Sequence, residues 1–462
     1  MKSIIPKHIV LINGVEIDLS NPIEVEYDID RTFYTGSTTL PQITSEQLSK
    51  DLSEEEKDRI MKTLLDIKEL DSIKIYYKEY ETKAEANNAT KEEMNLIVNA
   101  FVKDLEVNES KENAIDRKLI FNSTMGFCYE NSMQYDLIST SCRQTFFDGL
   151  RQNGLIPTQN INYSTAEEVI STSYSKYLTN TVNDTSNNYI YTFTGSIIET
   201  IKFDEFTHND YFIVKCNCTT NFGEGIDTVK QNHAVKIYQS PDGTVNVLSP
   251  AYFSLQSAEV LVFDLNENVN DIAFGGLTNL YNAVYVVGTG CTGFAFDPFS
   301  YESQLPEDAD EDDKPFDSAG NYKTNFSPNM QYLRVKYLFR RNIFDGFNAF
   351  NTAINELYNI SKSSVVSFET VYTSDLQPGR LCNIKNSNYL KYIKGVSDDQ
   401  LWIIKNVKIT ISKENISATV QVYRNMIADF PEKFIISPDS LSLLDASLIT
   451  TLTKTENSTL LH

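Results

Sequence analysis

A thiol and an imidazole are the first groups in this sequence that could act together. Cys142 lies upstream of His233, and a cysteine becomes a nucleophilic thiolate when a histidine sits beside it in space. The segment Gln231-Asn232-His233-Ala234 runs into an apolar stretch and then Pro241-Asp242-Gly243, the setting of a base on a strand. A third, acidic group should follow the next strand, but Ser249-Pro250 stands there. Ser141-Cys142-Arg143 also lacks the small and aromatic neighbours of such nucleophiles. Cys216-Asn217-Cys218 would place two thiols on one face of a strand, yet no second Cys/His pair at finger spacing completes a metal site. The four histidines, His8, His208, His233 and His462, are too few for a histidine-rich centre. The 63 carboxylates make chance pairs inevitable, so no glycosidase pair stands out. No phosphate-cradling glycine loop, His-Glu-x-x-His helix or nucleophile elbow is present. The expectation is therefore no catalytic, cofactor-binding or metal residue and no cofactor. A Cys142–His233 thiol hydrolase stands as the alternative.

The elements that would position any such residue are mostly strands. His8–Ile12 and Val15–Leu19 flank Asn13-Gly14, which supplies the positive φ of a two-residue hairpin turn. Ile23–Tyr34 alternates as a further strand pair. From Thr44 to about Val107 the texture becomes charged and helical. Ser53-Glu54-Glu55-Glu56 has capping-box spacing before Ile60, Leu64 and Ile67, and a second helix is expected from Thr90 with Leu96, Ile97, Ala100 and Phe101 as its stripe.

The middle mixes types. Helices are expected over Cys142–Gly154 and Thr165–Leu178, and strands over Tyr189–Phe203, Tyr211–Thr219, Ala234–Gln239, Thr244–Leu248 and Ala283–Gly288. Pro306–Pro315 is acidic and bounded by prolines, so it reads as a solvated linker; it lacks the ligand spacing and glycine of a calcium loop. A helix with Ser327 as N-cap and Pro328 in its first turn should run to about Asn359. Strands follow at Val365–Tyr372, Leu381–Ile384, Tyr389–Lys394, Trp402–Ser412 and Ile416–Tyr423.

With 462 residues the chain exceeds one compact core. The expected division is 1–112, a β-domain carrying a helical insertion at about 44–107; 113–290, mixed α/β; 291–326, an acidic linker; 327–429, a helix plus a barrel-like β-domain; and 430–462, a C-terminal arm. The 26 Tyr and 26 Phe against one Trp favour pleated, half-buried surfaces. A net charge of −23 argues against a protein that wraps nucleic acid through clustered cations. It suits either plain solubility or a pore through which DNA passes without sticking. Six scattered cysteines show no disulfide framework and point to synthesis in a reducing cytoplasm. The opening residues lack the apolar core of a signal peptide and no run of 18 apolar residues occurs, so no membrane anchor is expected. A protein acting outside its cell of origin would then leave by assembly or lysis.

The last third carries a recognisable order of features. The helix through Phe347-Asn348-Ala349-Phe350-Asn351 leads to the strand Ser367–Val371, then to Asp375-Leu376-Gln377-Pro378-Gly379-Arg380-Leu381-Cys382-Asn383-Ile384. Leu401–Val407, with Trp402, and the closing strand Ile416–Arg424 complete it. This order resembles the final domain of phage tail-hub (baseplate-hub) proteins, in which a Leu-x-Pro-Gly turn opens a barrel-like domain. Upstream, Ile237-Tyr238 through Asp242-Gly243 to Val247 resembles that family's middle hairpin, and Tyr281–Gly288 its strand returning to the last barrel.

The resemblance implies an α+β fold, mainly antiparallel β, with two tube-like β-barrel domains flanking a mixed middle region. It implies a virion tail subunit, assembled in the host cytoplasm, that self-associates as a trimeric ring between tail-tube and spike proteins. DNA would pass through its lumen without specific binding. A receptor- or glycan-binding tail protein is the further alternative.

Overall fold

The computed structural model describes residues 5–17, 21–40, 52–109, 115–133, 146, 149–156, 189–192, 197–203, 220–233, 235–248, 260–274, 280–318, 323, 326–341, 343, 346–360, 365–390, 400–412 and 415–424. The chain begins with β1 (Ile5–Ile12) and β2 (Val15–Glu16). Between them Asn13 and Gly14 have φ of 50° and 76°, the pair of left-handed residues that a twist-matched hairpin turn requires. Next come β3 (Ile23–Asp28), β4 (Thr35–Leu40) and the helix Glu54–Leu65. Ser53 and Glu56 close the expected capping box, the Glu56 N–H donating to Ser53 Oγ at 3.2 Å and the Ser53 N–H to Glu56 Oε2 at 2.9 Å.

The rest of the expected helical insertion is different. Only the short helix Lys83–Asn88 and a 3₁₀ turn at Lys91–Glu93 separate β5 (Ser72–Tyr80) from β6 (Asn95–Glu109), and β7 is Ile115–Ser123. Leu96, Ile97, Ala100 and Phe101 lie on β6, not on a helix. Register shifts at Ile75/Tyr76 and Val102/Asp104 break the two-residue period there, so the apolar spacing imitates a helix.

The middle contains β8 (Ser132–Met133), β9 (Tyr189–Thr192), β10 (Thr200–Phe203), β11 (Thr220–Asn221), the helix Phe222–His233, β12 (Lys236–Gln239) and β13 (Val245–Leu248). The sheet order β12-β13-β10-β9 has β10 parallel to β13, over a core that includes Phe146, Phe203, Phe222 and Ile237. The expected β12–β13 hairpin is present. Gly243, at φ 90°, closes its turn. Of the helix expected over Cys142–Gly154, residues 146 and 149–152 are helical. Thr165–Leu178 and Tyr211–Thr219 lie outside the described residues.

The remaining strands are β14 (Leu261–Asp264), β15 (Val269–Phe274), β16 (Ala283–Val287), β17 (Thr292–Phe296), β18 (Val335–Phe339), β19 (Val365–Val371), β20 (Leu381–Lys385), β21 (Leu401–Ile411) and β22 (Ile416–Arg424). The helix expected from Ser327 starts only at Gly346 and ends at Ile360, because 335–339 pairs with β16 as a parallel strand. The acidic segment carries a 3₁₀ turn, Glu311–Asp313, and Phe316 just beyond it is buried with its ring 4.7 Å from that of Phe299. Of Tyr389–Lys394, Tyr389 lies in a turn and 391–394 lie outside the described residues.

One 13-stranded, mostly antiparallel sheet joins the first seven strands to β14, β15 and β19–β22, in the order β15-β19-β22-β21-β3-β4-β7-β6-β5-β1-β2, with β14 and β20 branching from β21. The junction is β21 against β3, Asn406–Ile411 opposite Asp28–Ile23. Inward side chains on both strands (Ile23, Val25, Tyr27; Val407, Ile409, Ile411) are all buried in one shared core. Each such aliphatic side chain contributes roughly 1.5–3 kcal/mol on burial. The sheet curls into a half-barrel, which brings Tyr77 of β5 against Tyr372 beyond β19 with ring centroids 5.3 Å apart.

Candidate functional site

Because side chains alternate along a strand, burying Val25 and Val407 sends Glu24, Glu26, Asp28, Asn406 and Lys408 to the opposite face of the β3–β21 junction. There they line a basin of about 650 Å³ together with Arg31, Lys118, Lys405, Thr419 and Gln421. Its charges are matched pairwise. Lys408 lies 3.2 Å from Glu24, and Arg31 3.0 Å from Glu26. The Asn406 Nδ2 donates to Glu26 Oε1 at 2.9 Å and Asp28 Oδ2 at 3.1 Å. Lys118 lies 3.9 Å from Glu106 on the neighbouring strand. This face is therefore mixed in sign, not uniformly acidic, and each of these cations already has a carboxylate. Among the described residues it offers no cluster of unpaired cations for an anion.

Next to the basin-lining Asp28, Arg31 and Lys405, three parts of the chain meet on Asp30. Its carboxylate accepts from Lys236 Nζ of β12 and, at 2.7 Å, from the Tyr423 hydroxyl of β22, while Lys405 of β21 lies 3.6 Å away. Lys230, on the helix Phe222–His233, donates to the Asp30 carbonyl at 2.8 Å. Burial alone would raise the Asp30 carboxyl, but Lys236, Tyr423 and Lys405 pull it down to about 2. Burial beside Asp30 pushes the Tyr423 hydroxyl far up, and burial lowers Lys230. Asp30 is thus a joint that stays ionised until the pH falls to about 2.

The residues that suggested chemistry in the sequence are not brought together by any described contact. Cys142, Cys216 and Cys218 lie outside the described residues; His233 is the last residue of its helix. Among the described residues no group of three or more His, Cys, Asp or Glu side chains could hold a metal. Among the described residues no disulfide joins Cys128, Cys291 or Cys382. Burial pushes Cys128 up to about 11 and Cys382 higher still, so neither is a nucleophile at neutral pH. No described helix is long and apolar enough to cross a membrane. The Asp30 joint escaped sequence reading because its partners lie some 200 and 390 residues away.

No protein-family model and no curated protein sequence matches the chain. Solved structures do. The tail protein from Neisseria meningitidis MC58 superposes with a TM-score of 0.51 at 9% identity, covering 92% of this chain and 99% of that one. The 43 kDa tail protein of prophage MuSo2 from Shewanella oneidensis gives 0.46 at 8% identity over 92% and 100%. Prophage tail protein gp18 from Listeria monocytogenes EGD-e gives 0.43 at 11% over 96% and 99%. The first of these fixes the architecture: this chain shares the fold of the Neisseria tail protein over nearly the whole length of both.

Proposed function

We propose that the chain is a structural subunit of a phage-tail or baseplate hub, forming a ring that adapts the tail tube to the central spike and lets DNA pass. The observation that carries this reading is the shared fold, end to end, with a tail protein. In this reading the two strand sets joined at β3–β21, β1–β7 on one side and β14, β15 and β19–β22 on the other, are its two tube-like units. A trimer then presents six such units and reconciles a sixfold tube with a threefold spike. In this reading the polar β3–β21 face lines the channel. Its pairing of cations with carboxylates leaves phosphates little to bind, so DNA slides past without specific recognition. The chain works in the virion tail, through geometry and not catalysis. Negative-stain imaging of the purified full chain tests this, with threefold or sixfold rings expected. A monomer at every concentration would sink it.

A further inference from the structure

Between β17 and β18 the chain makes an excursion that exposes two surfaces of opposite charge. The first is acidic. Glu307, Asp308, Asp310, Glu311 and Asp312 are exposed, on a segment held in place by the 3₁₀ turn at Glu311–Asp313, by the Phe299–Phe316 stack and by Asn329 Nδ2 at 3.4 Å from Asp313. Lys314 pairs with Glu311 alone.

The second surface is β18 and the residues flanking it. In a chain of net charge −23, Arg334, Lys336, Arg340 and Arg341 fall within eight residues, interleaved with Tyr337 at 43% exposure and Phe339 at 66%. β18 is the outer strand of the order β17-β16-β18, and the Tyr337 ring continues an aromatic row through Tyr285 (5.8 Å) to Phe294 (6.3 Å). Lys336 pairs with Glu356 on the helix Gly346–Ile360. None of the three arginines forms an ion pair among the described residues, with the acidic segment or anything else.

We infer that the Arg334–Arg341 surface docks the acidic Glu307–Asp313 segment of a second copy of this chain. Charge complementarity names the occupant: five exposed carboxylates on one surface, three guanidiniums without an ion pair among the described residues, with exposed aromatics, on the other. Nucleic acid is the disfavoured occupant, because the neighbouring acidic segment and the overall charge repel a polyanion. Since the two surfaces differ, the contact is head-to-tail, the kind that closes rings or propagates. The inference rests on the ring reading above and assigns it an interface.

Sedimentation velocity of the full chain, at low and high salt, tests it with two charge-reversed proteins: Arg334→Glu/Arg340→Glu/Arg341→Glu, and Glu307→Lys/Asp308→Lys/Asp310→Lys/Asp312→Lys. Each alone should self-associate at least about tenfold more weakly than the parent, the parent's association should weaken with salt, and an equimolar mixture should recover pairwise association as alternating, even-numbered species, since a threefold ring cannot alternate two variants. Arg341→Glu alone, at an exposed position after β18, serves if the triple variant shows a lowered melting temperature. Rings unchanged by both reversals would overturn this interface and leave the hub reading standing; a parent chain that never self-associates would remove both. Parent chain binding a short single-stranded oligonucleotide through these arginines, with assembly unchanged by their reversal, would assign the strand to nucleic acid instead.

Discussion

Replacing Asp30 by Asn removes one negative charge from a site where three cations and a tyrosine hydroxyl converge. The fold holds the carboxyl at about 2 against an ordinary 3.8. At about 1.4 kcal/mol per pH unit, its ionised form therefore contributes roughly 2.4 kcal/mol. Asp30 is 30% exposed at its side chain, so solvent trims this figure, but Lys236 is only 8% exposed and would be left charged and unpaired. The net expectation is a loss of about 2–4 kcal/mol, read as a lower denaturant midpoint at neutral pH with little change in slope.

The pH dependence carries its own sign. A depressed carboxyl stabilises fully above its unfolded value near 3.8 and loses that contribution as pH falls through about 2. The parent should therefore lose the Asp30 share of stability between about pH 5 and 1, while Asp30→Asn shows a flatter curve there. A midpoint shift worth under about 0.5 kcal/mol, or identical acid limbs in the two proteins, would refute the joint.

Gly293→Ala tests how closely the helix Gly346–Ile360 sits on β17. An added Cβ would come within 2.2 Å of the Ala349 carbonyl carbon and 2.3 Å of the Phe350 nitrogen, both backbone atoms. That clash should cost about 1–3 kcal/mol in a denaturant melt, and an unshifted midpoint would mean the helix packs more loosely. Cys128 and Cys382, buried and with raised thiols, should stay unlabelled by a thiol reagent at neutral pH until the chain unfolds, as peptide mapping would reveal. Fast labelling of Cys382 in the native protein would show that the C-terminal core opens.

Local chemistry made much of the β framework legible. Asn13-Gly14 and Pro241-Asp242-Gly243 encode their turns through backbone angles, Ser53 and Glu56 encode a helix start, and β19 and β22 alternate strongly enough to be read directly. Two strands were legible only as helices. β6 carries a bulge, and β18 lies in a run whose apolar residues fall at three- and four-residue intervals. Periodicity alone does not separate such stretches when tertiary pairing decides them. The β3–β21 junction and the Asp30 joint were invisible for a different reason. They join residues nearly 400 positions apart, and no local pattern in Ile29-Asp30-Arg31 announces Tyr423 or Lys236. The charges lining the basin are paired across the β3–β21 face, so the net charge of −23 is not concentrated there.

The central claim is that the polar face of the β3–β21 junction surrounds a channel in a ring of this chain. A cryo-electron microscopy reconstruction of the assembled full-length protein at strand-resolving detail measures this directly. The account predicts a threefold or sixfold ring with Glu24, Asn406 and Lys408 facing the axial opening. A ring with that face turned outward, or an assembly with no axial opening, would contradict it.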